Sequence, residues 1–289
     1  MDIQNRSFSL DSNGILIPHN HSAHREDEYD EAGFDLLIKM QREHFWYRGR
    51  HALITKVFNA ERSRLFGARK LRAIDMGGGC GGWVEYLQTH NAEAFEELAL
   101  ADSSTKALKL AESVVGPSVK RYQIDLLDLP WENTWDVVFL LDVLEHIPDH
   151  AHVLRQISKT LKPGGLIVIT TPALQFFWTY NDEIVHHQRR YSKRDFRLLG
   201  SQAALDPIRM EYFMFFLSPA LLASRLLFRP PAAATPEQLH EHLAKTHAIP
   251  AKMVNAPLTA ALSLESALIN RLSFPWGTSI LAVLRKPAA

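Results

Sequence analysis

Cysteine is almost missing from this chain. Cys80 stands alone in 289 residues, which excludes an intramolecular disulfide and suits a reducing, cytoplasmic compartment. An excess of charge of either sign is missing too. Lysine plus arginine and aspartate plus glutamate both count 32, so no global field recruits nucleic acid or an anionic membrane. No stretch reads as a membrane span: Phe213 to Phe228 is apolar but short, and Ser218, Pro219 and Arg225 interrupt it. Interfacial contact with a lipidic molecule stays open for that stretch. The opening Met1-Asp-Ile-Gln-Asn-Arg6 has no apolar h-region, so no secretory signal is expected. What the chain does have is 46% apolar residues, ample for a large core. Internal repeats and long low-complexity tracts are not seen.

Glycine is concentrated in one place. A short apolar strand, Leu71 to Ile74, runs into Asp75 and then into glycines at 77, 78, 79, 81 and 82. A glycine loop between a strand and a helix is where doubly wound α/β folds hold nucleotide-like cofactors. Gly77, Gly79 and Gly82 satisfy G-x-G-x-x-G, the dinucleotide fingerprint, in which a helix N-terminus faces a pyrophosphate. Asp75, Gly77, Gly79 and Gly81 also satisfy D-x-G-x-G-x-G, which resembles the first motif of class I S-adenosylmethionine (SAM) methyltransferases. The loop alone leaves both readings open.

Downstream segments carry more information. Trp83 to His90 reads as a helix and Glu97 to Ala101 as a second strand ending in Asp102, placed to accept hydrogen bonds from ribose hydroxyls. Asp102 could instead cap the helix that follows. A third strand, Val119 to Ile124, ends at Asp125, with Leu129-Pro130 beyond it. Then come an apolar fourth strand from Trp135 to Asp142, the segment Asp142-Val-Leu-Glu-His-Ile-Pro-Asp149, and Leu161-Lys-Pro-Gly-Gly165 before a fifth strand. Four such motifs in this order resemble the ubiquinone-biosynthesis O-methyltransferase branch of the class I family.

The resemblance implies a cofactor site. Asp125 would accept from the adenine amino group and the Leu126 amide would meet a ring nitrogen. Asp75 would mainly brace the glycine loop. An arginine in the helices before the first strand would hold the methionine carboxylate. Arg50 is the first choice and Arg48 the second, because guanidinium grips a carboxylate bidentately. Phe45, Trp46 and Tyr47 either wall the site or pack on the sheet. SAM carries a sulfonium and no pyrophosphate, so its site calls for carboxylates rather than a basic cradle. Asp75, Asp102, Asp125 and Asp142 all fall at expected strand ends.

For the acceptor, His146 is slightly preferred as base, with His187 and Tyr191 as contacts, since histidine titrates near neutrality. Asp142, Glu145 and His146 at i, i+3, i+4 would meet on one helical turn and could hold a divalent cation; that option is not favoured. The cluster Arg189, Arg190, Lys193, Arg194 and Arg197 could attract an acidic acceptor but reads first as a solvated helix face. His19, His21 and His24 permit a metal site in a segment otherwise read as mobile or capping.

The expected architecture is a mostly parallel seven-stranded doubly wound sheet in four parts. These are a polar segment (1–30), a Rossmann-like core with N-terminal helices (31–216), a helical insertion or lid (217–277), and the final strand with the C-terminus (278–289). The insertion would contain an apolar helix from Pro219, a polar helix from Pro236 to His247 carrying His240 and His242, and a mixed helix from Leu258. The expected function is methyl transfer from SAM, yielding S-adenosylhomocysteine, to a small-molecule hydroxyl in secondary or quinone-like metabolism. No nucleic-acid partner is expected, and the chain would work as a monomer or homodimer. The alternatives are an NAD(P)-dependent oxidoreductase and a SAM-binding protein without catalysis.

Overall fold

The computed structural model describes residues 8–19, 34–228, 235, 238, 245 and 248–288. His21, His24, His240, His242 and nearly all of the expected polar helix at 236–247 lie outside the described residues.

The central strands are apolar on both faces, as buried parallel strands must be. In β6 (Trp135–Leu141) every residue is buried. Val138 and Leu140 join one core, while Val137, Phe139 and Leu141 join the other. The same alternation splits β3 (Leu71–Met76), β7 (Leu161–Pro172) and β9 (Ser279–Arg285) between the two cores. Helices α5 (His150–Thr160) and α7 (Lys193–Gln202) cover the first face. Helices α2 (Phe45–Phe66), α3 (Gly82–His90) and α9 (Lys252–Leu268) cover the second.

With β1 (Phe8–Leu10), β2 (Ile15–Pro18), β4 (Phe95–Asp102), β5 (Lys120–Gln123) and β8 (Asp206–Phe213), the sheet runs β1-β2-β5-β4-β3-β6-β7-β9-β8. The neighbours from β2 to β7 are parallel, and β9 is antiparallel to both β7 and β8. From β3 the chain winds outward through β4 and β5, then returns to place β6 on the other side. That reversal opens a crevice at the carboxyl ends of β3 and β6, where ligands bind in such sheets.

The expectation of seven strands needs correction: there are nine among the described residues. The two additional strands form a hairpin in the segment read as polar. Its turn is tied by Asp11, whose Oδ1 accepts from the amides of Asn13 and Ile15, both at 2.8 Å. Ile15 is fully buried, and Phe8 packs edge-on against Tyr122. Ile15 and Leu16 pair with Arg121 and Tyr122 of β5, so the hairpin closes an edge that would otherwise offer unpaired backbone groups. Five apolar residues divided between two short runs in a polar context are too weak a sequence signal to show this.

The insertion is not loosely attached where it is described. Helix α8 (Ser218–Leu227) borders the crevice, and α9 lies along α2. Asn255 staples that contact: its Oδ1 accepts from the Phe45 amide at 2.9 Å and its Nδ2 donates to the Glu43 carbonyl at 3.0 Å. Leu262 occupies the space beside Gly49, where an added Cβ would come within 2.4 Å of it. No described helix is long and apolar enough to cross a membrane.

Leu262 is buried between the helices, so Leu262→Ala should cost about 2–5 kcal/mol in urea denaturation. Unchanged stability would show that α9 is not part of the core.

Candidate functional site

The crevice is a cavity of about 910 Å³. At one end lies the glycine loop. The amides of Gly77 and Gly78 donate to the Ala101 carbonyl at 2.8 and 3.2 Å, and the Gly79 amide donates to Asp102 Oδ2 at 2.8 Å. Gly77 (φ 72°) lies so close to Val143 that a Cβ would sit 2.6 Å from its side chain. Gly79 (φ 55°) faces open space, with Leu37 the nearest atom to an added Cβ at 3.9 Å. Both positions require glycine's left-handed freedom, and the second leaves room for a ligand against the backbone. Gly81 lies outside the cavity lining, at the start of α3 and against Val115.

Asp102 is therefore the residue that braces the loop. Its other oxygen accepts from the Ser104 amide at 2.9 Å, and Ser104, not Asp102, caps α4 (Thr105–Val115). The bracing role expected of Asp75 has no counterpart among the described hydrogen bonds. Asp75 is buried, and its Oδ1 has no partner. Burial pushes its carboxyl up to about 7, with Arg50 opposing and Asp102 assisting. Asp125 Oδ1 accepts from the Leu127 amide at 2.8 Å, and Asp125 and Leu126 both line the cavity.

Arg50 and Asp142, expected to meet a cofactor separately, meet each other. Arg50 Nη1 donates to Asp142 Oδ2, and its guanidinium lies 4.6 Å from the Trp46 ring centroid and 5.4 Å from that of Tyr47. Its buried Nε has no partner. Phe45, Trp46 and Tyr47 line the cavity, whereas Arg48 does not.

The other end holds a polar cluster. Leu144–His146 forms a 3-10 turn rather than a turn of α-helix, and Asp142 stays behind at the end of β6, with φ 56°. His187 takes the place expected for Asp142: one ligand atom from each of Glu145, His146 and His187 lies within 4.8 Å of the others. Glu145 is fully buried with neither carboxyl oxygen hydrogen-bonded, although Oε1 lies 4.0 Å from His187 Nε2; burial first and Asp142 second push its carboxyl well above the usual range. Burial, with His187 and His186 nearby, brings His146 down to about 4, so it is neutral at physiological pH.

His187 has a different setting. Its Nδ1 lies 2.9 Å from Asp182 Oδ1, and Arg190 grips the same carboxylate through Nε at 2.8 Å and Nη2 at 3.0 Å. Burial alone would raise the Asp182 carboxyl, but the bonds from His187 and Arg190 hold it at about 2, so it stays ionised. Tyr191 does not line the cavity. It is 1% exposed, and its hydroxyl donates to the Leu144 carbonyl at 3.1 Å, bracing the turn that carries His146. Arg190 likewise leaves the solvated face expected of it and is buried.

Asp182 as the partner of His187, Arg190 as the second hold on Asp182, and Arg225 in the cavity wall are not among the site residues expected from the sequence. Asp182 and His187 are five apart across an irregular turn, so no helical or strand period marks them as a pair. Charged residues in the lining are Asp75, Asp102, Asp125, Asp142 and Glu145 against Arg50, Arg190 and Arg225. Around the glycine loop the only cation among these is Arg50, already paired with Asp142. This distribution fits a cationic, phosphate-free adenosyl ligand better than a pyrophosphate.

The chain resembles known proteins in sequence and in fold. Residues 41–208, more than half of the chain, match a family described as a methyltransferase domain. The ubiquinone biosynthesis O-methyltransferase of Bordetella pertussis is 33% identical over 105 residues, 35% of this chain and 42% of that one. The 27-O-demethylrifamycin SV methyltransferase of Amycolatopsis mediterranei is 27% identical over 149 residues, 48% of this chain and 55% of that one. The matches thus span about half the length of these curated relatives. Among solved structures, a chain of the Haloferax volcanii complex containing the Trm112 methyltransferase activator superposes with a TM-score of 0.57 at 19% identity, covering 92% of this chain and 100% of that one. Phosphoethanolamine N-methyltransferase 2 of Haemonchus contortus, in complex with SAM, gives a TM-score of 0.50 at 17% identity, covering 94% and 62%. At such identities the likeness to solved structures concerns the fold alone.

Asp75 also makes stability depend on pH. Between its ordinary value of 3.8 and about 7 the folded chain holds a proton that the unfolded chain has lost. Its contribution therefore falls as pH rises through that window and is flat above it. Asp75→Asn should remove this decline and stabilise the ligand-free protein at pH 8 by on the order of 1–3 kcal/mol. Urea denaturation of both proteins from pH 5 to 8 checks this; parallel profiles would contradict it.

Proposed function

From the premise that the chain belongs to the methyltransferase-domain family, with the fold of class I SAM-dependent enzymes, we propose that it transfers a methyl group from SAM to a hydroxyl of a small molecule. One observation carries the reading. A glycine loop lined by carboxylates and a histidine oriented by a buried aspartate share a single cavity.

Bound SAM would supply an electrophilic methyl group on a sulfonium. The chain's own residues have separate tasks. Gly77 to Gly79 let the backbone approach the ligand closely. Asp102, which holds the Gly79 and Ser104 amides, lines the cavity on the side taken by the ribose hydroxyls. Asp125 and Leu126 take the adenine side. Asp75 has an unpartnered oxygen that a nearby cation favours in the ionised form, and Arg50 keeps Nε free for a ligand carboxylate.

At the acceptor end the electrostatics reverse the order of the two histidines. With Nδ1 committed to Asp182, His187 has Nε2 on the side of Glu145, 4.0 Å from its Oε1, as the atom left for the acceptor, and the ionised Asp182 stabilises the imidazolium that forms when His187 takes the acceptor's proton. His146, held near 4, is a weak base and serves as a neutral wall. The dyad argues for catalysis rather than SAM binding alone. O-methylation is supported by the base and by the names of the curated relatives. A second reading, with a divalent cation on Glu145, His146 and His187, rests on their clustering.

Isothermal titration should show binding of SAM and S-adenosylhomocysteine, weakened by Asp102→Ala, and none of NAD(H). Binding of NAD(H) alone would overturn the cofactor assignment. With an accepted substrate, His187→Ala should lower kcat by roughly 10²–10⁴-fold and His146→Ala by less, while activity survives EDTA. Loss with EDTA and recovery with a divalent ion would favour the cation reading.

A further inference from the structure

Three arginines line the cavity, and two are engaged by carboxylates of the chain itself: Arg50 by Asp142 and Arg190 by Asp182. Arg225 is different. It projects from the middle of the last turns of α8 into the cavity wall, half-buried, with no hydrogen bond or ion pair among the described residues. It lies near enough to Arg190, Asp182 and Tyr180 to feel their charges. Burial pulls its guanidinium below the ordinary value, Arg190 adds to this, and Asp182 and Tyr180 only oppose it. Leu221 and Phe228, each about one turn away on its own stretch of chain, line the same cavity, as do Val254 and Leu258 from α9.

A guanidinium half-removed from water in an apolar wall is costly unless an anion meets it. Asp182 cannot serve fully, since His187 and Arg190 already occupy both of its oxygens. The missing partner is therefore expected from the ligand. A dianionic phosphate would call for a second available cation, and Arg190 is committed; a single negative charge matches what Arg225 offers.

We propose that the methyl acceptor is a hydroxylated carboxylic acid with an apolar body, whose carboxylate binds Arg225 while its hydroxyl faces His187. Arg225 thereby sets both the class of acceptor and the end that enters. The proposal rests on the methyltransferase reading and adds the acceptor's charge to it. It also gives the insertion a task, because α8 is the element that carries the anion-binding group to the site.

Calorimetry on the full chain saturated with S-adenosylhomocysteine tests this, using 4-hydroxycinnamate, 10-hydroxydecanoate and the methyl ester of each as probes. At least one acid should bind tenfold or more tightly than its ester. Arg225→Gln should abolish that preference without changing the affinity for S-adenosylhomocysteine, which also reports that the variant folds, and Arg225→Lys should restore part of it. Equal binding of acids and esters, binding of none of the four, or a preference that survives Arg225→Gln would overturn the proposal alone. Failure of the wild-type protein to bind S-adenosylhomocysteine would overturn the methyltransferase reading and this proposal with it.

Discussion

The pair formed by Arg50 and Asp142 joins the helical cover to the sheet. Arg50 is rooted in α2 and Asp142 closes β6, so their contact fixes the roof of the cavity over the strand ends. Both charges are withdrawn from bulk water, with side chains 6% and 21% exposed. Removing one partner of a buried pair leaves the other uncompensated, which typically costs about 3–5 kcal/mol. The faces of Trp46 and Tyr47 hold the guanidinium in place from the same helix. Asn255 and Leu262 then lock α9 to α2. Cover, sheet and insertion are coupled through α2, and a change in any one of them reaches the cavity.

Charge is divided along the cavity in a way that suits two unlike ligands. Near the glycine loop, carboxylates outnumber cations, and Asp75 is poised to ionise when a positive group arrives. At the far end, Asp182 is ionised but spent on His187 and Arg190, burial raises the Glu145 carboxyl, and Arg225 has no hydrogen bond or ion pair among the described residues. A cationic donor is favoured at one end and an anionic acceptor at the other. Their groups that react would then meet near His187, between the two fields.

Most of the fold was legible in the sequence. The alternating cores of β3, β6, β7 and β9 follow from apolar runs, since a buried strand shows its nature in every residue. The glycine loop and the acidic residues at strand ends were legible for a similar reason: each is a local requirement of backbone geometry or of the strand that precedes it. The hairpin of β1 and β2 was not, because Ile15 is buried only through pairing with a strand about a hundred residues away.

By itself the sequence determined the order of the core strands and helices and the glycine loop that follows the first core strand. Tertiary structure decided which side chains spend their charge on each other. Arg50 meets Asp142 across 92 positions, Asp182 captures both His187 and Arg190, Tyr191 turns inward to brace Leu144, and Arg225 finds no partner among the described residues. Spacing along a chain fixes neighbours only within one helix or strand. The meeting of charges across a cavity depends on irregular turns and on the docking of distant elements, which carry no period to read.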